Sequence, residues 1–277
     1  MSTKAQEIPI YDSAQHRSTV IEEFLALIKY RDLLVQLVSR NLKARYKRSA
    51  LGICWTLLNP LMMMIVLTVV FSSVFQSATG HYAVYALSGL IVWNFFAQTT
   101  ASAMSELLWG GALLHRIYVP RVIFAMTALG TGLINLLIAL LPLAVIMLLS
   151  GAPLRPSLLF LPVPILLTSM FALGVALFLS TLAVYFSDVL DMFQILLMGW
   201  MYLTPVIYPV EIIPDQYRWL MSLNPMYYLL AVFRAPIYSG QLADLQTLGI
   251  ASLVATLTLA FGWWFFTRKA DEFAYRI

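Results

Sequence analysis

Hydrophobic positions near the start of the chain recur with helical rather than strand spacing. Ile21, Phe24, Leu25 and Ile28 repeat every three to four residues, and after Arg31-Asp32 the pattern resumes with Leu34, Leu37, Val38 and Leu42. Gln36, Ser39, Arg40, Lys43 and Lys47 fall on the opposite side of the same wheel. The spacing predicts an amphipathic helix over 20–48 lying in a membrane interface, preceded by a polar cytoplasmic segment, 1–19. Polar and apolar positions then stop alternating. Six nearly uncharged runs follow, at about 56–76, 83–104, 122–149, 158–186, 190–208 and 247–267. Each approaches or exceeds the roughly 20 residues needed to cross a bilayer core as a helix. The predicted fold class is all-α and integral to the membrane, with 49–277 forming a six-span domain.

One apolar region breaks its own rule. Five of the 13 prolines lie between 205 and 236, at Pro205, Pro209, Pro214, Pro225 and Pro236. Each removes a backbone donor and resists helix continuation. Backbone left unpaired in lipid costs several kcal/mol, so such a segment survives at depth only when enclosed by protein or lining a cavity. A re-entrant element over about 209–236 is expected, built from two short helices near 212–222 and 226–235. Its aromatic residues, Tyr202, Tyr208, Tyr217, Trp219, Tyr227 and Tyr228, suit a sugar passage and an interfacial belt equally well.

Composition sharpens this picture. Of 277 residues 61% are hydrophobic and only 11% charged, with a mean hydropathy of +0.84, which excludes a water-soluble domain. All of the 17 Lys and Arg residues except Arg155, Arg218 and Arg234 fall in the N-terminal segment, the gap after the second span, or the C-terminal tail. An even number of spans with both termini in the cytoplasm fits this distribution. The first thirty residues lack the apolar core of a signal peptide. The net charge of +4 is explained by these flanks and implies no nucleic-acid partner.

Candidate chemistry is sparse. No lysine follows a glycine as a phosphate-binding loop requires, no G-x-S-x-G occurs, and His16, His81, His115 and the single Cys54 form no metal-ligand spacing. The chain is therefore expected to be no enzyme and to hold no cofactor or metal, with any energy coming from a partner. The spans carry almost no ionisable groups; Asn94, Gln98, Asn135 and Gln194 are polar but neutral, and helix-to-helix bonding explains them as well as transport does. Arg45 and Arg48 fall toward the apolar side of the interfacial helix. There they either snorkel to lipid headgroups or meet an anionic group such as a diphosphate. The gap SELLWGGALLHRIYVPR, 105–121, is apolar enough to dock another protein or to lie on the bilayer surface.

Three stretches, NLKARYKRSALGICWTLLNPL at 41–61, RIYVPRVIFAM at 116–126 and MYLTPVIYPVEIIPDQYRWLMSLNPMYYLLAVFR at 201–234, resemble the membrane subunits of ABC-2 type polysaccharide exporters, a family that includes O-antigen, capsule and teichoic-acid permeases. Arg45, Tyr46, Leu51, Gly52 and Trp55 match its basic interfacial helix leading into the first span, and Val119-Pro120-Arg121 its motif after the docking helix. The resemblance implies a coupling helix over about 106–116, with Glu106, Leu107, Leu108, Leu113, Leu114 and Arg116 facing an ATPase. It also implies a channel and gate using Trp55 and the six aromatic residues named above, and contact of Arg45 and Arg48 with the lipid diphosphate. The implied assembly is a homodimer with two nucleotide-binding subunits, which bind the ATP and Mg. It would export a polyprenyl-diphosphate-linked polysaccharide across a bacterial inner membrane. A departure is Ser187-Asp188, where many members place Arg-Asp. An ABC-2 exporter of a small amphiphile, an intramembrane glycan- or lipid-modifying enzyme and a passive channel are the competing expectations.

Overall fold

The computed structural model describes residues 27–47, 54–75, 81–110, 119–152 and 155–273, and among these there is helix and turn but no strand. In chain order the α-helices are α1 (Arg31–Tyr46), α2 (Cys54–Phe75), α3 (Tyr82–Trp109), α4 (Val122–Leu149), α5 (Pro162–Tyr185), α6 (Val189–Leu203), α7 (Arg218–Ser222), α8 (Pro225–Arg234) and α9 (Leu245–Lys269). A helix occupies each of the six apolar runs. Among the described residues three segments are long and apolar enough to cross a membrane, Val122–Leu149, Pro156–Tyr185 and Leu245–Lys269, and shorter apolar stretches cover Leu57–Phe71 and Val189–Leu203.

The fifth run is shorter than its hydropathy suggests. The apolar pattern predicts a span to residue 208, yet α6 ends at Leu203, because Pro205 disfavours helical geometry at Thr204, which is extended at φ −106° and ψ 135°. Fifteen residues rise only about 22 Å. The short helices predicted after it are present in a finer form. One-turn 3₁₀ segments at Val210–Ile212 and Asp215–Tyr217 lead into α7, and α8 continues into a π turn at Ala235–Ser239.

Helix α3 is the centre of the bundle, packing against α2, α4, α5 and α6 as well as the short α8. Its first half is almost wholly buried, from Tyr82 through Phe96. The longest crossing is α5 on α9. A Cβ on Gly174 would overlap the Thr258 carbonyl, and one on Gly262 would overlap the Gly174 carbonyl, so the two backbones touch. Ala251 and Ala255 continue this small-residue face, both fully buried. Close approach through small residues is how apolar helices associate where lipid offers no hydrophobic driving force.

The N-terminal helix does more than lie along a surface. Helix α1 packs against α4, with Leu37 buried and Val38 in contact distance of Gly130. The first part of the expected 20–48 helix and Arg48 lie outside the described residues. Replacing Gly262 by valine should lower the melting temperature of the detergent-solubilised protein by an amount corresponding to about 1–3 kcal/mol, the usual cost of overpacking. Valine at the open Gly249, where a Cβ would meet nothing within 4 Å, should leave it unchanged.

Candidate functional site: a carbonyl clamp and a polar cleft

Residues 203–208 pose a hydrogen-bonding problem that α6 cannot solve, since beyond its end the carbonyls have no helical donors. Side chains from elsewhere supply them. The Arg234 guanidinium, at the end of α8, donates through Nη1 to the Pro205 carbonyl at 2.6 Å and through Nη2 to the carbonyls of Val206 and of Tyr85. Tyr82 Oη donates to the Ile207 carbonyl at 2.8 Å and Tyr85 Oη to that of Tyr208 at 2.9 Å. Arg234 is only 8% exposed, and its guanidinium carbon stands 3.7 Å from the centroid of the Tyr85 ring, a cation–π arrangement. Gly89 makes room for it, because any Cβ there would overlap the guanidinium.

Asn224 does the same for the other end of the segment. Its Oδ1 accepts from the Met226 backbone, capping α8, and from Trp200 Nε1. Its Nδ2 donates to Thr204 Oγ1 at 2.9 Å and to the Leu203 carbonyl. The Asn-Pro pair at 224–225 is the helix-start signature in which an Asn side chain satisfies a free donor and a proline occupies the first turn.

The aromatic residues expected at the gate divide by exposure. Tyr202, Tyr217 and Trp219 are more than half exposed. Tyr208 and Tyr228 are half-buried, with hydroxyls donating to the carbonyls of Tyr202 and Ser222. Tyr227 lies edge-on to Tyr228 with ring centroids 5.2 Å apart. Trp55 instead borders a different feature, a cleft shared with Arg45.

That cleft arises from a stripe on α3. Asn94, Gln98, Ser102 and Glu106 follow one another at intervals of four, which keeps them on one helix face over a rise of about 18 Å. Opposite them stand Asn135 and Thr131 of α4, with Asn41 and Arg45 of α1 at one end and Asn59 of α2 at the other. The larger lobe has a volume of about 440 Å³ and the smaller about 260 Å³; Arg45, Gln98, Gly132 and Asn135 line both. Gly132 lets α4 approach α3 closely beside both lobes, since a side chain there would overlap Thr99 Oγ1. Arg45 donates to Gln98 Oε1 at 3.4 Å, so its stem reaches inward along the cleft.

Glu106 closes the stripe where α3 leaves its apolar run. Asn41 Nδ2 donates to its Oε1 at 2.8 Å. Burial pushes its carboxyl up to about 7 against the opposing pull of Arg40 and the Asn41 bond. The expected coupling residues separate here. Leu107, expected to face a partner, is instead 1% exposed within the core, and Leu108 packs partly against it. Trp109 takes the outward position at 85% exposure. The helical periodicity of α3 simply continues through this point, turning Leu107 inward. Leu113, Leu114 and Arg116 lie outside the described residues.

The described residues form an all-helical bundle with a polar cleft and a clamped proline segment. The chain belongs to the ABC-2 type transporter family, whose model matches residues 32–238. It is 30% identical over 250 residues to the O-antigen export system permease protein RfbA of Myxococcus xanthus, covering 90% of this chain and 96% of the relative. A protein of the same name from Klebsiella pneumoniae is 26% identical over 214 residues, 76% of this chain and 82% of the relative.

Two measurements test the site. Arg234→Met should leave the carbonyls of Tyr85, Pro205 and Val206 short of donors and destabilise the protein by at least about 3 kcal/mol, read by thermal unfolding in detergent, with Arg234→Lys recovering only part. Because the fold favours the protonated form of Glu106, stability should fall as pH rises from about 4.5 to about 7 and level off above. Glu106→Gln should flatten that slope, worth on the order of 2 kcal/mol.

Proposed function

We propose that this chain is the membrane subunit of an ATP-driven exporter that carries a polyprenyl-diphosphate-linked polysaccharide outward across a bacterial inner membrane. The observation that carries this reading is the similarity to an O-antigen export permease over 90% of the chain. Polysaccharide is favoured over a small amphiphile because the Klebsiella pneumoniae relatives carry the same O-antigen export name. The chain acts as a homodimer with two copies of a separate ATPase subunit, which binds ATP and Mg and docks on the segment that follows α3, with Trp109 at its leading edge.

Six helices span the membrane, α2 to α6 and α9, and both termini are cytoplasmic. Contacts between segments expected on one side support this topology. Arg155 donates to the Ser239 carbonyl and Ser157 to that of Pro236, both outside. Asn41 meets Glu106 and Tyr185 meets Glu272, both inside. Residues 209–236 form the re-entrant outer gate, hung from α3 by Arg234, Tyr82 and Tyr85. The exposed Tyr202, Tyr217 and Trp219 face the passing glycan. Arg45, which lines both lobes of the cleft, meets the lipid diphosphate together with Arg48, since a planar guanidinium pairs with phosphate oxygens in bidentate fashion.

Affinity purification from the native membrane in mild detergent should recover a stoichiometric nucleotide-binding subunit and ATP turnover that is lost when the exposed Trp109 is replaced by aspartate in a still-folded protein. Recovery of this chain alone would instead favour a passive channel. Arg45→Gln combined with Arg48→Gln should reduce surface polysaccharide several-fold while leaving membrane insertion intact, checked by surface labelling beside membrane fractionation. Unchanged export would exclude the diphosphate role.

A further inference from the structure

The cleft between α1, α2, α3 and α4 holds more hydrogen-bonding capacity than the protein uses. Among the described residues Asn59 and Asn94 make no hydrogen bond, and Gln98 makes one long bond from Arg45. Thr99 borders the smaller lobe at 1% exposure, and its hydroxyl has no partner either. Under the topology proposed above these groups lie on helices that cross hydrocarbon, where an unsatisfied polar side chain is costly. Their retention on one face, around one cavity, calls for an occupant that both donates and accepts.

The chemistry of the wall narrows that occupant. A carboxamide presents two donors and an acceptor oxygen, so Asn59, Asn94 and Gln98 together suit neither a bare anion, which takes donors only, nor a cation, which takes acceptors only. They suit neighbouring hydroxyls, each of which donates and accepts. The larger lobe, about 440 Å³, has an apolar side formed by Ile91, Leu136 and Ala139. At its mouth stands Trp55, 54% exposed, whose flat face can cover the C–H side of a sugar ring. Volume, wall polarity and the aromatic residue together describe a pocket within the usual size range for a small ligand.

We infer that this cleft is a binding site for a pyranose ring presented at the membrane on a lipid anchor, with the carboxamides bonding its hydroxyls and Trp55 lying against its apolar face. The inference rests on the polysaccharide reading above and deepens it. The cleft would recognise the sugar nearest the lipid, apart from any contact to the diphosphate, so that the permease would distinguish a loaded carrier from an empty one.

The test uses the permease purified with its ATPase subunit and titrated under native mass spectrometry. Three probes are compared: farnesyl diphosphate bearing one pyranose (run as glucose, galactose and N-acetylglucosamine), farnesyl diphosphate alone, and phosphatidylglycerol. At least one sugar-bearing probe should bind about tenfold more tightly than the sugar-free one, as expected when a built polar site loses its partner groups. Asn94→Leu with Gln98→Leu should abolish that preference while keeping sugar-free affinity. Ala139→Trp, which fills the cleft from its apolar side, should do the same, with an unchanged thermal unfolding transition in detergent reporting that both variants fold. Equal binding of all prenyl probes, or phosphatidylglycerol binding as tightly as the best sugar probe, overturns the inference. The titration reads the cleft directly, so it decides the matter even if no ATPase co-purifies and is run on this chain alone. A complex that exports glycan without sugar preference sinks the cleft and spares the exporter.

Discussion

Carbonyl groups without donors are the constraint from which one end of this molecule follows. Pro205 ends α6 early and leaves most carbonyls from Leu203 to Tyr208 without helical donors. One buried guanidinium, two tyrosine hydroxyls and one carboxamide supply what is missing. Arg234 is tolerated at this depth because it is surrounded by oxygens and covers an aromatic face, so its charge is solvated by the fold rather than by water. The glycine at 89 is explained by the same contact, as is the register of α8 against α3. Irregular backbone is thereby fixed in place rather than left loose.

The other end shows the reverse imbalance. There the polar groups of α3 outnumber their partners, and the space they border is open. Helix α1 sits at the junction. Its apolar side packs on α4 while Asn41 and Arg45 reach the α3 stripe at two heights. A shift of α1 relative to α3 would therefore be felt at Glu106 and at Gln98 together, joining the segment that follows α3 to the lining of the cleft.

Much of the architecture is legible in the residues because membrane helices are written in long apolar runs, and all six runs contain a helix. The short helices after α6 are legible from proline spacing. The end of α6 is not legible from hydropathy, which does not register that Pro205 constrains Thr204. The interfacial wheel sets Arg45 toward the apolar side, whereas in the structure Arg45 is exposed at the cleft, and period alone cannot show that α1 docks on α4. The clamp escapes sequence reading altogether. Arg234 reads as an ordinary loop cation, and its role depends on Tyr85, 149 positions earlier in the chain. The Asn-Pro at 224–225 is the available signal. Asn94, Gln98 and Asn135 each stand out singly, whereas their convergence requires the third dimension. The family resemblance implies that Leu107 faces outward, and the continued winding of α3 turns it inward.

The glycine contact between α5 and α9 bears on how such a bundle can move. Two helices whose backbones touch at Gly174 and Gly262 have no side-chain layer to slide on or to compress, and they behave as one strut. Helices α2 and α6, by contrast, present broad outward faces, with Val69 75% and Ile195 73% exposed. Relative motion of α5 and α9 would have to part backbone from backbone, so displacement within the bundle falls first on helices that pack through side chains.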